Sequence, residues 1–400
     1  MPAEKLRIAF ATPEYVTENH FDGGLANYIN RASRKLADAG HDVHVVTLSQ
    51  KDETEFCHEG VMVHRVSLKR WQLLSLATRY QFPTTLHWLN FSTQVYRKLK
   101  QLQRQKRFHL IQYPNYSSCG LFSIPFLRAA HVVRASSYQP ALNDAAGLKR
   151  NVDNALAERL EAWQYKLARN VFAPSHALQK MLAEKAAAPH VSVISSPFYI
   201  ETRDWDHGVY DQFLKGKKYV LFFGRFQLHK GFHILARALP RFLSQYPDAH
   251  AALVGRDMET SLASSMAAFA RDQCGSAAAR LVLLENLPHS QLYPVIDGAR
   301  LVALPSLIDN SPNACLEAMG LGKVVIGTTG GSFDELITDR VNGFLVPPND
   351  PEALAERMIS AWIDPELDQI ATAAKQQMME FAPDKTIPSL LNYYSELIRR

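Results

Sequence analysis

Two acids, two cations and a glycine pair, each placed where a strand-like run gives out, are the residues of this 400-residue chain whose types and spacing carry chemistry. Asp309 and Glu317 lie eight residues apart in PSLIDNSPNACLEAMGLGKVVIGTTGG (Pro305–Gly331). The run RLVALPS reads as a strand ending at Ser306, and LIDNSPN as a loop with Asp309 at its tip. Pro312 opens the first turn of a helix that carries Glu317. A carboxylate accepts hydrogen bonds from two neighbouring hydroxyls, which makes it a natural holder of ribose or hexose. Free backbone N–H groups at Asn310, Ser311 and Asn313 would meet ligand oxygens at the helix start. Without a ligand, the same residues read as a turn or cap at Asp309 and a solvated helix face at Glu317.

The cations stand in VLFFGRFQLHKGF (Val220–Phe232). Gly224 ends a strand, Arg225 follows at once, and Lys230 sits just before Gly231 and a helix. Two cations on one loop at a strand end suit two adjacent phosphates; the bland alternative is two exposed basic residues. Near the start, PEYVTENHFDGGLANYI sets Gly23 and Gly24 ahead of a helix. Bare backbone there either approaches an anion or simply turns. The groups together describe a ligand with a sugar at one end, a ribose at the other and phosphates between.

What positions such loops is a repeated alternation of strand and helix. LRIAFAT, DVHVVTL, VMVHRVSL, HLIQY, HVVRAS, NVFAPS and VSVISSP are short, β-branched and apolar on both faces. Helical stretches such as LANYINRASRKLADAG separate most of them, the pattern of a parallel sheet covered by helices. FYIETRDWDHGVYDQFLKGKK (Phe198–Lys218) is polar, aromatic and aperiodic, and reads as a linker. Alternation restarts through YVLFFGR, AHAALVG, RLVLLEN, RLVALPS, VVIGTT and GFLVPP. The expected fold is α/β, with two doubly wound Rossmann-like domains in tandem, residues 1–198 and 199–383. The ligand is expected at the carboxyl ends of the strands, in the cleft between the domains. The tail DKTIPSLLNYYSELIRR (384–400) reads as an amphipathic helix able to cross back onto the first domain.

A hydrophobic fraction of 47% is that of a globular chain. No apolar run reaches the roughly 18 residues of a spanning helix, and MPAEKLRIAFATPEY lacks the pattern of a signal peptide. Cys57, Cys119, Cys274 and Cys315 are scattered without a CxxC pair, which argues against a disulfide framework or structural zinc and fits the cytoplasm. No DxD-like motif closes a strand, so no essential metal is expected, and no nucleic-acid partner. The net charge of +5 is uneven: residues 1–198 hold 25 Lys+Arg against 15 Asp+Glu, and the remainder is negative. Much of the excess lies in YRKLKQLQRQKRFH (Tyr96–His109), either a solvated helix face or a basic face towards anionic lipid. On the second reading Trp71, Tyr80, Phe82, Trp88 and Phe91 would sit at headgroup level, making the protein peripheral at the inner face of the plasma membrane.

On these residues the chain resembles the retaining glycosyltransferases of family 4, which have the GT-B fold. The resemblance rests on GR and KG after the second domain's first strand, on D-x7-E within the 305–331 stretch, and on GG after the first strand. It spans nearly the whole chain and is stronger in the second domain. It implies that Arg225 and Lys230 hold a donor diphosphate and that Glu317 holds the donor ribose. Asp309 stands where the family has a glutamate touching the transferred sugar. Its side chain is shorter by one methylene, so the contact passes in part to Asn310 or to backbone. Gly23 and Gly24 match glycines lying against the diphosphate, and Gly255-Arg256 the strand end near the nucleobase. One departure stands out: where many members carry a histidine in runs like VVRLHGP, this chain has VVRASSYQP, with Ser136 at that position.

The reaction so implied moves a glycosyl unit from a nucleoside diphosphate sugar to a hydroxyl of a sugar or lipid-linked acceptor, with retention. Arg225, Lys230 and a helix N-terminus would stabilise the leaving diphosphate, which itself takes the acceptor proton. Neither a side-chain base nor a cofactor is then required. The alternative is a nucleotide-sugar-binding partner or regulator without transfer, which Ser136 and the Glu-to-Asp change favour. A dinucleotide oxidoreductase is set aside, because FDGGLANY does not supply G-x-G-x-x-G.

Overall fold

In the computed structural model, which describes residues 5–18, 24–68, 81–147, 151–186, 188, 190–200, 205–310 and 312–400, the chain divides into two units. One is Met1–Pro140, Lys149–Pro197 and Ala382–Arg400; the other is Ala141–Leu148 and Phe198–Phe381. The first is built on eight strands: β1 (Arg7–Thr12), β2 (Asp42–Leu48), β3 (Glu55–His58), β4 (Val61–Val66), β5 (Leu110–Pro114), β6 (Ala130–Arg134), β7 (Val171–Ala173) and β8 (Val191–Val193). Their order is β3-β4-β2-β1-β5-β6-β7-β8, parallel throughout except for β3 against β4. The second holds β9 (Lys218–Phe223), β10 (Ala249–Val254), β11 (Leu281–Leu284), β12 (Leu301–Ala303), β13 (Val325–Thr328) and β14 (Phe344–Val346). They form an all-parallel sheet in the order β11-β10-β9-β12-β13-β14.

The helices used below are α1 (Gly24–Asp38), α2 (Pro83–Lys106), α3 (Val152–Ala168), α4 (Phe232–Gln245), α5 (His289–Asp297), α6 (Asn313–Gly320) and α7 (Pro383–Arg399). Burial sorts them. On one face of the first sheet Phe91, Val95 and Leu99 of α2 and Tyr165 of α3 pack with Ile111, Tyr113 and Val133. On the other, Ile29 and Leu36 of α1 and Leu390 and Tyr394 of α7 pack with Phe10, Val45, Leu110 and Val132. Each such side chain, once fully buried, contributes on the order of 1.5–3 kcal/mol. The tail is fastened by polar contacts as well: the Tyr394 hydroxyl donates to Gln112, whose amide donates to the Tyr28 hydroxyl at 3.2 Å. Helix α2 has no acid in its first turn, so Asp153 of α3 supplies one, accepting from the Thr84 and Thr85 N–H groups at 2.8 and 2.9 Å.

Three expectations are corrected here. Strand β3 was not read from the sequence. It is a four-residue antiparallel edge whose alternate residues face solvent, the short guarded edge that blocks further pairing. The Phe198–Lys218 linker contains a short helix, Gly208–Phe213. Trp88 and Phe91 do not stand at a surface: both are buried, Phe91 in the cluster over the sheet and Trp88 edge-on to the Tyr116 ring, with centroids 5.6 Å apart. Phe82 is half-buried, and Trp71 and Tyr80 lie outside the described residues. Among the described residues no helix is long and apolar enough to cross a membrane.

Candidate functional site

In the second sheet the strand order reverses between β9 and β12, the switch point at whose strand carboxyl ends ligands of such sheets bind. The β9 loop carries Arg225 and Lys230, and the β12 loop carries Asp309. Two glycines let these loops close on their neighbours. Gly231 has φ +68°, and a Cβ there would stand 1.7 Å from the Pro305 carbonyl oxygen. Gly255 has φ +150°, and a Cβ there would stand 1.9 Å from the Gly224 carbonyl oxygen. No other residue fits either place. The His229 carbonyl accepts from the Leu307 N–H at 2.9 Å, joining the two loops at that point.

Lys230 Nζ meets Asp309 Oδ2 at 2.6 Å. The Asp309 side chain is only 11% exposed. The loop tip folds inward, where the Asp309 carbonyl accepts from Ser332 Oγ at 2.6 Å. His229, next to Lys230, is pushed down to about 4, first by burial and then by the Lys230 charge, so the ring is neutral at neutral pH. Arg225 is exposed at the head of the loop. Gly224 has φ +133° with open space where a Cβ would stand.

Glu317 is not on a solvated face. It is buried on α6, and its Oε1 lies 3.2 Å from His289 Nε2. His289 begins α5 and stacks on Tyr293 with ring centroids 5.2 Å apart. The sequence reading missed His289, although it follows a strand-like run just as Arg225 does. Asn310 is buried, Asn313 is the first residue of α6, and Pro312 occupies the cap position before it. Arg256 is exposed, and its carbonyl accepts from the Phe226 N–H at 3.0 Å. Ser311 and Gly23 lie outside the described residues.

In the first unit Gly24 begins α1 and is exposed. The first turn of α1 does not wait for an external anion: Glu14 Oε1 accepts from the Ala26 N–H at 3.2 Å. Ser136 lies just past β6, its N–H donating to Asn115 Oδ1 at 2.7 Å and its Oγ accepting from Arg134 Nη1 at 2.7 Å. Arg134 is itself buried, 3.7 Å over the Tyr28 ring, and also donates to Ser196 Oγ. Below Asn115 lies Glu161, a buried acid held by Asn115 Nδ2 at 2.9 Å and the Tyr165 hydroxyl at 3.1 Å; burial pushes it up to about 7. Sequence reading found neither Arg134 nor Glu161, since periodicity does not show which charge turns inward.

Residues 217–364 match the family described as glycosyl transferases group 1, and residues 22–200 match glycosyltransferase family 4. The chain belongs to the family 4 glycosyltransferases. It is 23% identical over 355 residues to the phosphatidyl-myo-inositol mannosyltransferase of Mycolicibacterium smegmatis, covering 86% of this chain and 82% of that one. Among solved structures it is similar to sucrose-phosphate synthase from Thermosynechococcus elongatus, with a TM-score of 0.75 at 18% identity over 99% of this chain and 100% of that one. It is similar also to Anabaena HepE in complex with UDP, with a TM-score of 0.70 at 20% identity over 98% of this chain and 100% of that one. These likenesses give this glycosyltransferase the GT-B fold, two Rossmann-like α/β domains.

Proposed function

We propose that this glycosyltransferase transfers a hexosyl unit, with retention, from a nucleoside diphosphate sugar to an acceptor hydroxyl on a glycan or glycolipid. The observation that carries the reading is the Lys230–Asp309 pair at the β9/β12 reversal, which sets a cation for phosphate beside a carboxylate for sugar hydroxyls. Glu317, buried on α6, takes the ribose hydroxyls, with His289 beside it. Arg225 and Lys230 neutralise the diphosphate as the bond from anomeric carbon to phosphate oxygen breaks. The acceptor oxygen bonds to that carbon on the same face. Its proton passes to the departing phosphate oxygen, so no side-chain base and no metal is required.

The donor base and the acceptor follow by analogy. Anabaena HepE was solved with UDP, and the Mycolicibacterium relative is named for phosphatidyl-myo-inositol. The test is a thermal-shift screen of UDP-, GDP- and ADP-sugars. The best donor is then incubated with candidate acceptors, and the anomeric configuration of the product is read by NMR. A product of inverted configuration sinks the retaining assignment. A second reading, donor binding without turnover, is favoured by Ser136, which stands where many family members carry a histidine and is held by Arg134 and Asn115. Donor binding with no release of nucleoside diphosphate in the presence of any acceptor would select it.

A further inference from the structure

We propose that the outward surface formed by α2, residues 116–128 and α3 is a docking face for an anionic lipid bilayer. The two helices share one buried cluster over a single face of the first sheet. Their opposite sides therefore both look away from that sheet. The turn Tyr116–Ser118 touches both helices, so the three pieces make one continuous surface.

That surface departs from ordinary solvent-facing composition in two ways. Large apolar side chains stand outside: Phe126 is 68% exposed, Trp163 61% and Leu167 42%. Trp163 and Leu167 are one turn apart on the outer side of α3. Acids are also missing. From Gly60 to Asn143 the chain runs 84 residues with 12 Lys+Arg and no Asp or Glu. Arg97, Lys100 and Arg104 face solvent on α2, and Lys166 does so on α3 beside Trp163. The acids of α3 turn inward: Asp153 caps α2, Glu161 is buried, and Oε1 of Glu158 is buried. Cations and rings interleave, with Lys100 Nζ 5.3 Å from the Tyr96 ring and that ring 6.0 Å from Phe126.

Aromatic tips and long cationic stems suit the boundary between headgroup and acyl chain, where rings enter and ammonium or guanidinium groups meet phosphate. A second copy of this chain fits poorly, because a twofold contact would set the cationic patch against itself. This surface is independent of the donor chemistry, and it replaces the Trp88 and Phe91 surface that burial rules out.

The experiment is cosedimentation of the full chain with vesicles of pure phosphatidylglycerol and of pure phosphatidylcholine, at low and high salt. Binding to phosphatidylglycerol alone is expected, and its loss at high salt. Arg97→Ala, Lys100→Ala and Arg104→Ala combined should weaken binding about a hundredfold, at roughly fivefold per cation. Trp163→Glu with Leu167→Glu should abolish it. Trp163→Ala, a milder change at an exposed site, should weaken it with unchanged thermal unfolding, which guards against loss through misfolding. In the wild type, tryptophan emission should shift to the blue on phosphatidylglycerol, and the shift should shrink in Trp163→Ala. No binding to phosphatidylglycerol at low salt overturns the proposal. So does binding that all these variants retain, or a self-association that they abolish without any effect of lipid.

Discussion

Removing Lys230 and Asp309 singly and together separates what the pair does for the fold from what it does for a donor. The contact is short at 2.6 Å, with the lysine side chain 33% exposed and the aspartate 11%. A charge-assisted bond of this kind is worth about 1.5–3 kcal/mol, and partial exposure of the lysine puts this one towards the lower end. Lys230→Ala leaves a nearly buried carboxylate without its cation and should destabilise by about 2 kcal/mol. Asp309→Asn should cost less, about 1 kcal/mol, since the lysine reaches water. The double variant should then cost less than the sum of the two, with a coupling of about 1 kcal/mol or more in urea unfolding. Binding should split differently. Lys230→Ala should weaken the bare nucleoside diphosphate ten- to a hundredfold. Asp309→Asn removes a negative charge near the phosphates, so the bare diphosphate should bind at least as tightly as to wild type. Its kcat/KM with the sugar donor should nonetheless fall ten- to a hundredfold. Titration calorimetry and a diphosphate-release assay read the two quantities. Additive destabilisation, or a bare diphosphate weakened equally by both single variants, would refute this reasoning.

Glu317→Gln should weaken bare nucleoside diphosphate and sugar donor alike, because the ribose is common to both; loss confined to the sugar donor would move Glu317 to the transferred sugar. Arg225→Ala should cut donor use about tenfold or more with unchanged thermal unfolding, since its side chain is exposed; wild-type efficiency would remove it from the diphosphate clamp. Chelation with EDTA should leave turnover unchanged, and a loss restored by a divalent cation would show a metal requirement. His44 is buried and pushed down from 6.5 to about 4, so between those values only the unfolded chain binds its proton. Stability should therefore be full above about pH 6.5 and fall by about 3 kcal/mol as pH drops towards 4. His44→Gln should flatten that slope in urea midpoints taken against pH, and an unchanged slope would assign the acid sensitivity elsewhere.

The sheets were legible because a strand buried on both faces can hardly be written in any other residues. Every apolar run singled out in the sequence became a strand, from Arg7–Thr12 to Phe344–Val346. β3 escaped because an edge strand needs only one pairing neighbour and alternates, so EFCH carries no apolar run. Trp88 and Phe91 misled for the converse reason: aromatics near a basic run look interfacial in one dimension, and only the helix phase shows which side they take. The loop residues were legible as chemistry but not as geometry. Lys230 and Asp309 are 79 residues apart, and no local pattern says that they touch. Glu317 read equally well as a solvated carboxylate until α6 turned it inward.

That geometry accounts for an aspartate at 309 in this chain. Its carboxylate holds Lys230 on the loop after β9, and its carbonyl holds Ser332 on the loop after β13, while the residue itself belongs to the loop after β12. Thr328 Oγ1, at the end of β13, donates to the Ser306 carbonyl and binds the same two loops a second time. Three adjacent strand ends therefore converge on one residue whose backbone and side chain are both committed. At 2.6 Å the pair has no slack for an added methylene without moving Lys230 or the loop, so the shorter acid suits the place it holds. A donor entering this site meets a lysine already partnered by a carboxylate. On the proposed reading its phosphate takes over the lysine, and the released carboxylate turns to the sugar hydroxyls. One exchange of partners then couples diphosphate binding to sugar positioning. This is the reason Asp309→Asn, which removes the charge but keeps the side chain's size, is predicted to separate the two.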